Sequence, residues 1–156
     1  MRDRIRQELT NIGRTVELAL DAWEGARHFS EQQAHFLNSL ALNLHSFYNG
    51  LERIFESVAR RLDPKFPSGK HWHRHLLSQM GHEIPGVRPA VLSGESVESL
   101  DEFLAFRHRV RNLYTFNLEG ALLYQLLERL PKTWTNVRTD IEAFCNLLEE
   151  AASEQD

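Results

Sequence analysis

The segment Phe103–Tyr114 concentrates side chains that can hold an anion and move a proton. On an ideal helix, at about 100° per residue, Leu100, Phe103, Phe106, Val110 and Tyr114 share an apolar face. Arg107 falls on the edge of that face. An arginine there is seldom buried unless it is paired or hydrogen-bonded. Asp101, His108, Asn112 and Thr115 form the neighbouring polar stripe, with Arg111 beside them. One helix end thus collects a guanidinium, an imidazole, a carboxamide and a phenol. Such a set suits a phosphodiester: arginines hold the phosphate while a nearby group handles the 2′-hydroxyl. The plainer alternative is an arginine that snorkels to an acidic neighbour on a solvated surface.

These groups need a scaffold, and the hydrophobic pattern indicates which. Ile5, Leu9, Ile12, Val16, Ala19, Leu20 and Trp23 recur at three-four spacing, so the first helix spans about residues 3–24, with Gly25 as its stop. Ser30 and Gln33 read as a capping box. A long helix follows through Leu37, Leu40, Leu44, Phe47, Leu51, Ile54, Val58 and Leu62. A short helix is expected over Lys70–Met80, with Ser68 as its cap. A loop rich in Pro and Gly runs from Gly81 to Gly94. Another helix starts near Ser93 or Ser96 and reaches about Tyr114. The last helical region covers about Leu118–Ala152, with Pro131 kinking or dividing it. Strand-like alternation is absent. The expected fold is all-α: one domain over residues 1–156, an up-and-down four-helix bundle with one additional short helix.

The 18 Lys plus Arg against 22 Asp plus Glu give a formal charge of −4, which argues against coating nucleic acid by bulk charge. A focused basic site remains possible, since Arg107, Arg109 and Arg111 fall within five residues with no acid among them. Lysine occurs only at 65, 70 and 132. The other basic residues are arginines, the cation suited to buried and phosphate-facing positions. A single cysteine, Cys145, excludes an intramolecular disulfide framework. With no apolar run long enough to span a bilayer and no apolar core after the basic N-terminus, a cytoplasmic protein is expected.

Arg107, the polar His108, three variable positions, Asn112, Leu113 and Tyr114 resemble the signature of the HEPN superfamily, and more narrowly that of HepT-like ribonuclease toxins. In that pattern a histidine stands where this chain has Asn112. The resemblance extends through Tyr48–Phe55, Pro67–His73 and Gly86–Leu92, and covers about residues 30–125. It implies a small helical bundle that dimerises with its motif helices facing each other across a cleft. It also implies metal-independent cleavage of RNA through the 2′-hydroxyl, with no cofactor. The expected partners are RNA, a second copy of the chain, and an MNT-type nucleotidyltransferase antitoxin that AMPylates the motif tyrosine, here Tyr114. Arg107 would contact the scissile phosphate, Asn112 would hold the acid/base position, His108 would be the supporting polar group, and Arg111 and Tyr114 would bind RNA.

Helix geometry bears on the dimer independently. Arg107 and Asn112 point about 140° apart on a straight helix, so gripping one phosphate takes a local distortion or a second subunit. A carboxamide hydrogen-bonds but cannot carry a proton near neutral pH as imidazole does. Three outcomes follow for Asn112: a weakened or inactive enzyme that acts as a binding module, His108 taking over, or a position that only orients RNA.

Other candidates have plainer readings. Glu52, one turn from Tyr48, either pairs with the motif arginine as its support or with Arg53 or Arg60 on the surface. In His71-Trp72-His73-Arg74-His75 no metal site is expected. His71 and His75 share a face without a third ligand, Trp72 and Leu76 pack inward, and the histidines cap or face solvent. Cys145 reads as a small core residue.

Overall fold

The computed structural model describes residues 1–110 and 119–153. Five α-helices are present among the described residues: α1 (Arg2–His28), α2 (Gln33–Leu62), α3 (Trp72–Met80), α4 (Gly94–Val110) and α5 (Gly120–Ser153). A single 3-10 turn, Ser30–Gln32, joins α1 to α2. No strand occurs among the described residues beyond one isolated bridge between Ile84 and Arg88. None of the described helices is long and apolar enough to cross a membrane.

Contacts between helices fix their directions. Glu8 meets Arg53 and Gly25 meets Phe36, so α1 and α2 run antiparallel. Arg6 reaches Glu149 while Trp23 packs on Tyr124, so α5 also opposes α1. Glu102 pairs with Arg129 and Glu95 with Lys132, which sets α4 against α5. The result is an up-down-up-down bundle of four long helices, with α3 laid across α2 and α4. The core takes one face from each long helix: Ile5, Ile12, Leu44, Phe47, Leu51, Phe103, Val137 and Phe144 are buried.

Local details differ from the sequence reading. Gly25 does not stop α1. A β-carbon there would lie 2.3 Å from the Phe36 ring, so glycine admits the ring that closes the α1–α2 corner. Ser30 makes no capping bond, and Gln33 instead donates to the Ala26 carbonyl. α3 starts at Trp72 with no side-chain cap, and Ser68 takes no part in it. Pro131 sits within one continuous α5. The start of α4 is secured as expected near Ser93. Its hydroxyl accepts from the Ser96 amide, and Asp140 of α5 accepts from the Ser93 amide and both hydroxyls.

The connection from α3 to α4 is held by a buried ion pair. Arg88 donates to both oxygens of Asp63 at 2.6 and 2.8 Å, and to the carbonyls of Gln79, His82 and Pro89. All five of its N–H groups are engaged, and neither side chain is exposed. A loop that carries no helix of its own is thereby fixed against the end of α2.

Candidate functional site

Three of the long and short helices converge on Arg107. It sits in the last described turn of α4. Leu100, Phe103, Leu104 and Phe106 are buried beneath it and set its direction. Its side chain is only 11% exposed. The Nε–H donates to the Asn49 Oδ1 at 2.7 Å, and Nη2 forms an ion pair with the Glu52 Oε1 at 3.1 Å. Asn49 and Glu52 lie three apart on α2 and so project from adjacent turns toward α4.

Glu52 holds a second partner. Its Oε2 accepts from the Nδ1 of His73, on α3, at 2.7 Å. The opposite ring nitrogen, Nε2, lies 3.5 Å from the Arg107 Nη1. A neutral imidazole carrying its proton on Nδ1 satisfies both contacts: it donates to the carboxylate and offers a lone pair to the guanidinium. Trp72 stacks on the His73 ring at 3.7 Å between centroids, and the His108 ring meets it edge-on at 5.5 Å. Tyr48 lies fully buried beside this group, and its hydroxyl has no hydrogen-bond partner among the described residues. Burial pushes that phenol far above its usual range. The Glu52 carboxylate adds to the rise, and Arg107 partly opposes it.

Arg107 is therefore neither solvated nor closed off. Among the described residues its two terminal nitrogens meet only the His73 ring and the Glu52 carboxylate, so their four N–H groups include donors to spare. A buried carboxylate neutralises the guanidinium and orients it, while the unused donors can grip an anion at the end of α4. His108 is exposed on the next position of the helix. Arg111, Asn112 and Tyr114 lie outside the described residues.

The structure joins residues from α2, α3 and α4 that are distant in sequence. Glu52 pairs with Arg107 and not with Arg53 or Arg60, which bond Glu8 and Glu56 instead. His73 departs from the expected solvent-facing role, because Glu52 gives its ring a buried acceptor. Asn49 has no distinctive spacing, and the spacing of His71, His73 and His75 gives His73 only a capping or solvent-facing role. The one signal for Asn49 and His73 was their place within Tyr48–Phe55 and Pro67–His73, two of the segments that carried the resemblance. Cys145 is buried in the core, and burial raises its thiol, so it offers no ready nucleophile.

A family model described as HepT-like protein matches residues 39–148. The match contains Asn49, Glu52, His73 and Arg107 and leaves the whole of α1 outside it. No curated protein and no solved structure matches the chain.

Proposed function

The chain belongs to the HepT-like family of the HEPN superfamily, and on that premise we propose that it is an endoribonuclease of the toxin type. One observation supports this most: a mostly buried guanidinium held by Asn49 and Glu52 that keeps free donors at the end of the motif helix. Arg107 binds a non-bridging oxygen of the scissile phosphate and stabilises the charge that develops there. The nucleophile is the 2′-hydroxyl of the RNA itself. Arg111 and Tyr114 extend the RNA contact, and His108 supports it at the exposed rim. Two chains face each other through the motif helix, so that one chain's Arg107 and the other's Asn112 can address one phosphate. An MNT-type nucleotidyltransferase silences the protein by AMPylating Tyr114.

The test is cleavage of labelled single-stranded RNA by the purified protein. Wild type cuts, and Arg107→Ala is slower by about 100-fold or more, the scale of removing one oxyanion donor. Equal rates overturn the assignment. Asn112, standing where the motif has a histidine, favours a second reading: a HEPN module that binds RNA or a partner without turnover. That reading expects no cleavage by wild type and a gain of cleavage in Asn112→His.

A further inference from the structure

If the site cleaves RNA, something must accept the proton of the 2′-hydroxyl, and Asn112 cannot. We propose that His73, oriented by Glu52, is the general base of this site. The inference rests on the ribonuclease reading and assigns within it a residue that the motif does not contain.

The geometry is that of an oriented base. A carboxylate fixes one nitrogen of the ring at 2.7 Å and so selects the tautomer that leaves a lone pair on the other. That second nitrogen faces the Arg107 guanidinium at 3.5 Å. Base and anion-binding group must lie this close, because the 2′-oxygen and the phosphate oxygens it approaches are near neighbours. The same carboxylate bonds Arg107, so one side chain of α2 sets the spacing between the two groups. Stacking on Trp72 blocks rotation of the ring. His108 is exposed, and its ring meets that of His73 edge-on.

The step balances without an added reagent. The Nε2 of His73 takes the 2′-hydroxyl proton as the 2′-oxygen bonds to phosphorus. The bond from phosphorus to the 5′-oxygen breaks. The departing oxygen takes a proton from the solvent, and the imidazolium later returns its proton there. The products are a 2′,3′-cyclic phosphate and a 5′-hydroxyl.

The variant that separates chemistry from structure is His73→Asn, whose amide keeps a donor for Glu52 but cannot accept a proton. Cleavage of labelled RNA, binding of the same RNA with a 2′-deoxy scissile nucleotide, and the pH profile are measured on wild type, His73→Asn and His108→Asn. Among the described residues the charged and titratable groups around this cluster are Glu52 and Tyr48 from α2, Arg107 and His108 from α4, and the Arg74–Asp101 pair. Expected for His73→Asn is a kcat loss of about 100-fold or more, RNA binding within about twofold of wild type, and loss of the fall in rate on the acid side. His108→Asn loses less than about tenfold and keeps that fall. An active His73→Asn, or one whose binding falls as far as its rate, overturns the base. Wild type that cuts no RNA overturns the ribonuclease reading and this inference together, so the two failures are distinct.

Discussion

Two buried arginine–carboxylate pairs hold this bundle, and they are built to different standards. Arg88 and Asp63 are closed: both side chains are wholly buried, and every guanidinium N–H has an acceptor. Arg107 and Glu52 are open: the pair is slightly exposed, and the arginine keeps donors in reserve among the described residues. A saturated guanidinium can only hold a loop in place. An unsaturated one, still neutralised by its carboxylate, can take an anion without leaving a bare buried charge behind. The difference separates a structural fastening from a site, although both begin as an arginine far in sequence from its acid.

Removing either arginine should cost a different amount of stability. Arg88→Ala should have the larger effect, a loss of about 3–5 kcal/mol in urea denaturation. It strands Asp63 and three backbone carbonyls where water cannot follow. Arg107→Ala should lose about 1–3 kcal/mol, because Glu52 keeps its bond to His73 and water can enter from the open side. Equal losses would mean that both centres are structural.

The smallest effect sharpens the open centre alone. The Tyr48 hydroxyl is buried without a partner among the described residues, so Tyr48→Phe should raise stability by about 1 kcal/mol at neutral pH. The pH dependence carries a sign. Burial and Glu52 raise the folded phenol above the value near 10 of the unfolded chain. Above about pH 10 the unfolded chain therefore releases this proton first, and stability falls. Denaturation at neutral pH and above pH 10 should show that fall in wild type and a smaller one in Tyr48→Phe. Identical slopes would mean that the phenol is solvated.

The bundle was legible because helical periodicity is a local signal. The stripe from Leu37 to Leu62 marked α2, and Ile5 to Ala19 marked the buried face of α1. The ends were less legible. Gly25 and Pro131 usually interrupt helices, yet here one admits the Phe36 ring and the other lies within continuous α5. A neighbour's packing outweighed the residue's own preference in the first case. At the site, Arg107 and Glu52 could be named from residue type and helix face. Asn49 and His73 could not, since an asparagine in a helix and a histidine among other histidines carry no distinctive spacing.

Residue order alone indicated an all-α chain of ordinary core content, an arginine on the edge of an apolar helix face, and the family to which that arginine's surroundings point. Those are properties of composition, period and order along one strand of text. Which acid neutralises which arginine is visible only in the folded chain. That choice depends on how α2, α3 and α4 cross, over separations of 21 residues between Glu52 and His73 and 58 between Asn49 and Arg107. Burial then gives the choice its force, because a charge removed from water must find its partner among whatever side chains the fold brings within reach.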